Sequence, residues 1–245
     1  MQKIVFTIVS NQVVADKTYR LELSCSQDIA MTPGQFVNIA IDGKYLRRPI
    51  SVSDATSRSL LLYYKTVGEG TKIMSEMTAG QQLELLTELG TGFDADKCKQ
   101  SALLVGGGLG SAPLYMLCKK LLSQGKKVTV VLGFNTASEV VLADQYRALG
   151  VEVYVATMDG TMGVKGFTTD AIKQYDPDYD FFYTCGPLPM MRALCAALPT
   201  SGQASLEERM GCGAGYCYGC TIQTAKGPKR VCADGPVFDK EDVIW

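Results

Sequence analysis

Between residues 4 and 86 apolar side chains recur at every second position, in short runs broken by turn residues. Residues 4–10, 19–24, 35–41, 50–53, 60–66 and 82–86 each read as a strand. Their β-branched content supports a small antiparallel barrel or sandwich. Before the last run, Thr71, Ile73, Met74 and Met77 are spaced as on one face of a short helix over residues 70–77, packed on a barrel end. The two methionines read as core filler rather than as a ligand set.

After residue 100 the period changes. An apolar run at 102–105 leads through glycines into a helical stretch ending near residue 123. Strand 128–133, helix 139–149, strand 151–157, helix 168–175, strand 180–185 and helix 188–198 follow. Strands alternating with helices of this length predict a parallel sheet covered on both faces. The change of rhythm falls at 94–100, and residues 203–245 belong to neither pattern. The predicted architecture is an N-terminal antiparallel β-barrel, an α/β parallel-sheet nucleotide-binding domain and a small C-terminal module, divided as 1–97, 98–202 and 203–245.

Composition narrows the function. The 245 residues are 47% hydrophobic and 20% charged, with a net charge of -1, which offers nothing to attract a polyanion. Nucleic acid is not an expected partner. No run of about 18 apolar residues and no basic-then-apolar leader is present, so neither a membrane nor export is expected and the cytoplasm is the predicted location. Histidine is absent, which excludes a histidine base, ligand or proton shuttle. The nine cysteines divide unevenly, with Cys212, Cys217, Cys220 and Cys232 packed into one short segment. In a chain without a leader, such a set points to metal binding or redox chemistry rather than to a disulfide framework.

Three further segments carry chemistry. In "VGGGLGSAP", Gly106, Gly107, Gly108 and Gly110 lie between a predicted strand and helix, where backbone amides can hold a phosphate. Ser111 takes the final glycine slot of the usual dinucleotide spelling, and a plain tight turn is the alternative. In "TCGPLPMM", Cys185, Gly186 and Pro187 end the last strand of the same domain, at the edge where open parallel sheets bind ligands; a proline-started helix is the alternative. In "YLRRPISVSD", a guanidinium and a hydroxyl on a backbone stiffened by Pro49 could clamp a pyrophosphate.

The cysteine segment reads C-x4-C-x2-C-x11-C and opens with the spacing of plant-type 2Fe-2S loops. Gly211, Gly213, Gly215 and Gly219 let the backbone take positive φ and turn amide N–H groups toward sulfur. On this reading, valine at 213 or 219 impairs the site almost as much as loss of a cysteine. A structural zinc site, which more often pairs two C-x2-C knuckles, is the alternative.

An R-x-x-S barrel segment, a GGGxG turn opening an α/β domain and CGP near its end together resemble the ferredoxin-NADP reductase superfamily, over roughly residues 1–200. The resemblance implies FAD in the barrel and a nicotinamide dinucleotide on the α/β domain. At matching positions Arg48, Pro49, Ile50 and Ser51 would contact FAD, with Tyr63, Tyr64, Lys65, Gly70 and Thr71 completing the site. Ile50 stands where that superfamily usually has an aromatic residue, so Tyr63 or Tyr64 becomes the candidate for stacking on the flavin. Gly106, Gly107, Gly108, Gly110, Glu139, Cys185, Gly186 and Pro187 would meet the dinucleotide, with Glu139 on the adenosine ribose. No arginine pair near "GFNTASE" awaits a 2′-phosphate, which favours NAD over NADP.

With "LEERMGCGAGYCYGCTI", "VCADGPVF" and the terminal "DGPVFDKEDVIW" added, the whole chain resembles the electron transfer subunits of class 1B dihydroorotate dehydrogenases. That resemblance implies a relay. A separate FMN-containing catalytic subunit oxidises dihydroorotate to orotate in pyrimidine biosynthesis. This chain passes the electrons through a 2Fe-2S cluster on Cys212, Cys217, Cys220 and Cys232 and through FAD to NAD+, in a heterotetramer of two of each subunit. Flavin is the group that joins one-electron and two-electron chemistry. Cys185, beside the nicotinamide, and Glu207, near the flavin edge, are the candidates for chemistry; Tyr216 and Tyr218 are candidates for the partner interface. The nearest rival is the flavin and 2Fe-2S subunit of an NADH-dependent ferredoxin:NADP or sulfide dehydrogenase complex.

Overall fold

Alternating burial closes the first sheet on itself. In the computed structural model, which describes residues 1–245, β1 (Gln2–Ala15), β2 (Thr18–Ser24), β3 (Phe36–Ile39), β4 (Arg48–Ala55), β5 (Ser59–Lys65) and β6 (Gln82–Leu89) form an antiparallel closed barrel. Their order is β1-β2-β5-β4-β3-β6. Ile4, Phe6 and Ile8 of β1 meet Leu21, Leu23, Val37, Ile39, Leu62 and Leu85 inside it. Helix α1 (Glu69–Glu76) closes one end by inserting Met74 into that core, as the helical spacing suggested. Asn11 Nδ2 donates to the carbonyls of Met74 (2.8 Å) and Met77 (2.9 Å), satisfying groups that a helix C-terminus leaves open.

The second half is an α/β sheet. Its elements are β7 (Ser101–Gly107), α2 (Pro113–Ser123), β8 (Lys127–Phe134), α3 (Ala143–Ala148), β9 (Glu152–Thr157), β10 (Val164–Lys165), α4 (Thr168–Tyr175), β11 (Phe181–Cys185), α5 (Leu188–Ala197) and β12 (Gly202–Ser205). Beyond them come the hairpin β13 (Thr221–Thr224) and β14 (Gly227–Arg230), then β15 (Val237–Asp239). The sheet order is β10-β9-β8-β7-β11-β12-β15, parallel throughout except for β15. Every residue of β7 is buried, as a central strand covered on both faces requires. No helix is long and apolar enough to cross a membrane.

Three expectations need correction. Strand β1 extends from residue 2 to 15 rather than from 4 to 10, because register shifts between Ile8 and Ser10 and between Val13 and Ala15 break the two-residue period that marks a strand. The helix expected over 139–149 is only α3. Residues Ala137–Glu139 form a separate tight turn, and Leu142, at φ 66°, reverses the chain before the helix starts. Finally, the segment 203–245 is not independent of the sheet rhythm. It supplies most of β12 and all of β15, which are too short to show a period.

This last segment wedges between the two larger bodies. Phe36 and Leu89 of the barrel, Met191 of α5, Ala204, Leu206 and Phe238, and the cysteine loop's Cys220 and Cys232 share one buried apolar cluster. On the other side Tyr63 of β5 is buried with Phe93, Tyr183, Ala112 and Leu132, so the barrel and the sheet share a core. The Lys119–Asp54 ion pair, 2.6 Å, adds a polar tie between α2 and β4.

Candidate functional site

Both glycine-bearing turns lie at the carboxyl edge of the parallel sheet, and they touch. After β7 the chain turns tightly through Gly108–Ser111 into α2, which Pro113 begins. After β11 it passes through Gly186 and Pro187 into α5. A Cβ on Gly110 would lie 2.2 Å from the carbonyl oxygen of Cys185, so only glycine permits this approach. The two turns are thereby locked side by side at the position where open α/β sheets bind ligands.

Two cavities open there and share a rim. One, of about 490 Å³, runs over the sheet edge between Gly107, Gly108, Gly133, Asn135, Thr168 and Met190. The other, of about 590 Å³, lies in the cleft between barrel and sheet. Arg48, Pro49, Ile50 and Ser51 from β4, and Tyr63, Tyr64 and Lys65 from β5, line its barrel wall, with Thr71 at α1. Gly107, Gly108, Gly110, Cys185, Gly186 and Pro187 line its sheet wall, with Glu139 and Glu207 beside them. Gly107, Gly108, Asn135, Glu139 and Pro187 face both cavities.

Two of the glycines singled out in the sequence stand behind these walls. Gly70 lies beneath Arg48, whose Nε would be 2.2 Å from an added Cβ; Gly106 is buried in β7 against Ser111. The hydroxyl of Thr71 is committed locally, accepting from the amides of Val67 (3.0 Å) and Gly68 (3.2 Å). Tyr64 stacks on Tyr19 with ring centroids 5.3 Å apart and donates to Asn11 Oδ1 at 2.9 Å. Burial pushes its phenol up to about 12. Tyr64 thus has its ring and its hydroxyl engaged within the barrel.

Glu139 and Lys65, taken from the sequence as contacts of two different ligands, pair with each other at 2.9 Å across the cleft. Glu139 also accepts from Asn135 Nδ2 at 2.8 Å. The Lys65 ammonium, ahead of the Asn135 hydrogen bonds, holds its carboxyl below the ordinary range, against a smaller opposing push from burial. Cys185 sits half-buried on the cavity wall, and burial pushes its thiol up to about 12, so it is a neutral thiol at physiological pH.

The cysteine loop lies next to this cleft, following β12 through Leu206 and Glu207. Seven backbone amides point at its sulfurs. Ala214, Tyr216 and Cys217 donate to Cys212 Sγ at 3.3–3.4 Å; Cys212 and Gly219 donate to Cys217 Sγ at 3.5 Å. Gly215 donates to Cys232 Sγ at 3.2 Å, and Cys232 to Cys220 Sγ at 3.4 Å. The amides of Cys212 and Cys217 each donate to the other's sulfur and that of Cys232 donates to Cys220, so the four cysteines fall into two linked pairs. No three of them converge on a single ion position. Burial opposes ionisation of Cys212, yet the amides of Ala214, Cys217 and Tyr216 and the Cys217 thiol bring it down to about 6. Paired sulfurs surrounded by N–H donors suit a two-iron cluster, whose charge such hydrogen bonds stabilise, better than they suit one tetrahedral ion.

The loop glycines divide. Gly213 (φ 65°) and Gly215 (φ 85°) use positive φ; Gly211 and Gly219 do not, and the non-glycine residue Tyr218 does, at φ 59°. A Cβ on Gly219 would meet only Cys217 Sγ, at 3.5 Å, whereas one on Gly213 would lie 2.4 Å from Asn38 Nδ2.

Residues 207–244 match the iron-sulfur cluster binding domain of dihydroorotate dehydrogenase B, and residues 104–196 match the oxidoreductase NAD-binding domain. The electron transfer subunit of dihydroorotate dehydrogenase B (NAD(+)) from Fusobacterium nucleatum is 43% identical, over 97% of this chain and 96% of the relative. The same subunit from Bacillus pumilus is 41% identical, over 99% and 98%. The chain belongs to this family of electron transfer subunits. A solved NADH-dependent reduced ferredoxin-NADP oxidoreductase, studied for flavin-based electron bifurcation, superposes with a TM-score of 0.89 at 29% identity, covering 98% of this chain and 90% of that one. A ferredoxin NADP+ reductase from Neisseria gonorrhoeae, at 16% identity and a TM-score of 0.67 over 78% of this chain and 88% of its own, shares the fold.

Several residues that brace this site were not found from sequence. Arg230 Nη1 donates to the Gly215 carbonyl at 2.7 Å, its Nε pairs with Asp234 at 3.0 Å, and its guanidinium lies 5.1 Å from the Tyr218 ring centre. Asn135 tethers Glu139 between the two cavities. The two-residue turn Ala225–Lys226, followed by Gly227 at φ 91°, joins β13 to Arg230's strand; nothing in the sequence marked Asn135.

Proposed function

We propose that this chain is the electron transfer subunit of an NAD-dependent dihydroorotate dehydrogenase, working with an FMN-containing catalytic subunit in a complex of two of each. The observation that carries the reading is a cysteine loop lined with amide donors and set directly against a cleft with a flavin-type barrel wall and a dinucleotide-type sheet edge. Cys212, Cys217, Cys220 and Cys232 would hold a 2Fe-2S cluster. FAD would lie along Arg48, Pro49, Ile50, Ser51, Tyr63 and Lys65, and NAD+ along Gly107, Gly108, Gly110, Glu139, Gly186 and Pro187. When bound, flavin and cluster together supply the exchange between one-electron and two-electron carriers.

The chain's own residues then have definite work. Arg48, kept over Gly70, presents a guanidinium to a pyrophosphate. Gly107 to Gly110 bring backbone amides and the start of α2 to a second phosphate group. The neutral Cys185 thiol lines the sheet wall of the cleft, where nicotinamide and flavin would meet. No histidine is needed, since no proton is abstracted from dihydroorotate in this subunit. None of the nine cysteines is in a disulfide, as suits the reducing cytoplasm.

The second reading, a subunit of an NADH-dependent ferredoxin:NADP oxidoreductase, is favoured by the structural superposition alone. Isolation of the chain with its natural partner decides. Co-purification with an FMN protein that oxidises dihydroorotate, and a visible spectrum with flavin bands over a broad iron-sulfur envelope, are expected. A colourless zinc protein, or NAD+ reduction that never needs such a partner, refutes the reading.

A further inference from the structure

Strand β3 shows two different faces. Val37 and Ile39 point into the barrel core and are fully buried there. Phe36 and Asn38 occupy the other face, which elsewhere on a barrel meets solvent, yet they are 3% and 1% exposed. The C-terminal module covers them: Phe36 packs with Cys220, Cys232, Val231 and Phe238. Asn38 is the one polar side chain of this seat. Its Nδ2 donates to the carbonyl oxygen of Cys212 at 3.2 Å, and the Cα of Gly213 lies so close that an added Cβ would be 2.4 Å from that nitrogen.

The other end of the amide has no partner, for Asn38 Oδ1 is buried without a hydrogen bond. Burying an amide with half its capacity unmet is unfavourable, and an apolar side chain among Phe36 and Leu89 would avoid the penalty. What the amide gains is control of one peptide plane. The Cys212 carbonyl belongs to the peptide joining Cys212 to Gly213, just before the amides of Ala214, Gly215, Tyr216 and Cys217 that donate to Cys212 and Cys232 sulfurs. On the barrel side Asn38 is the cross-strand partner of Pro49, and Phe36 of Ser51, within the Arg48–Ser51 wall of the cleft. Arg47 Nη1 further donates to the backbone carbonyl of Asn38 at 3.4 Å.

We propose that Asn38 is a positioning residue for electron transfer, fixing the cysteine loop in register with the flavin wall of the barrel through its hydrogen bond to the Cys212 carbonyl. It touches neither cofactor in this role; it sets where the amides around Cys212 stand and how the loop is spaced from β4. The inference rests on the proposed placement of cluster and flavin.

The test uses the purified full-length chain carrying flavin and cluster, as wild type, Asn38→Leu and Leu86→Val, Leu86 being the cross-strand neighbour of Asn38 on β6. Flavin and iron content, the electron paramagnetic resonance spectrum of the reduced cluster, and the rate at which NADH-reduced flavin passes electrons to the cluster are measured. Asn38→Leu keeps its flavin, shifts the cluster's g-values and slows the transfer roughly tenfold, the low end of what outer partners of metal ligands contribute. Leu86→Val loosens packing on the same face but leaves spectrum and rate near wild type. Unchanged g-values and rate in Asn38→Leu, or the same changes in Leu86→Val, overturn the proposal. If Asn38→Leu does not accumulate, Gly213→Ala presses on the same contact from the loop side, and a wild-type spectrum and rate there overturn it equally. A wild-type chain that binds flavin but shows no cluster signal refutes the placement itself, and the inference falls with it.

Discussion

The cysteine loop and the ligand cleft do adjacent work, but they are built in opposite ways. The loop draws four sulfurs and seven sulfur-directed amides from one continuous segment between Cys212 and Cys232. The cleft draws its walls from β4, β5, the start of α1, the turns after β7, β8 and β11, and the start of the loop segment. A site contained in one segment fails when one of its four cysteines is lost. A site assembled from many segments depends on the packing between bodies, so single changes in its polar groups have graded effects.

Five changes sharpen that contrast. The largest effect is expected from Cys217→Ser, which abolishes the cluster while leaving flavin bound; iron analysis with a flavin spectrum checks it, and joint loss of both groups would show that the two sites are not separately built. Next is Gly213→Val, which places a branched side chain at φ 65° and against Asn38, where wild-type geometry leaves no room. It should cost most of the bound iron, whereas Gly219→Val, with an ordinary 3.5 Å contact, retains most of it.

On the cleft side, Gly110→Ala drives a methyl group into the Cys185 carbonyl and separates the two turns. A misplacement of this kind is worth up to roughly a hundredfold. It is expected mainly in the KM for NADH, read by dye reduction, with iron content unchanged. The smallest effect comes from Glu139→Gln. The Lys65–Glu139 pair is partly solvated, so its loss destabilises the fold by no more than about 1 kcal/mol. Because the folded carboxyl titrates below its ordinary value, the pair's contribution is present above the unfolded carboxylate range and is lost as pH falls through the folded value. Thermal melts of wild type and Glu139→Gln should therefore differ at neutral pH and converge in acid; a constant difference would show that the ion pair is not its source.

The same contrast explains what could be read from sequence. The barrel and the βα alternation were legible because long runs of Leu, Val and Ile keep a two-residue or helical period, and the four-cysteine set because its spacing is local. The long arm of β1 was hidden by its bulges, and β12 and β15 by their shortness. The Lys65–Glu139 pair joins residues on two bodies, and its existence depends on how those bodies dock. Asn38 was invisible for a related reason: on a barrel strand an outward polar residue is the ordinary case, and only the module folded over it makes it unusual.

The relay itself is tested most directly by mixing dihydroorotate and NAD+ with the complex of this chain and its FMN-containing partner, using wild type and Cys217→Ser in parallel. The account predicts NADH formation by the wild type and none by Cys217→Ser, while both chains still pass electrons from NADH to an artificial dye through the flavin. NADH formation from dihydroorotate at the wild-type rate by Cys217→Ser would contradict it.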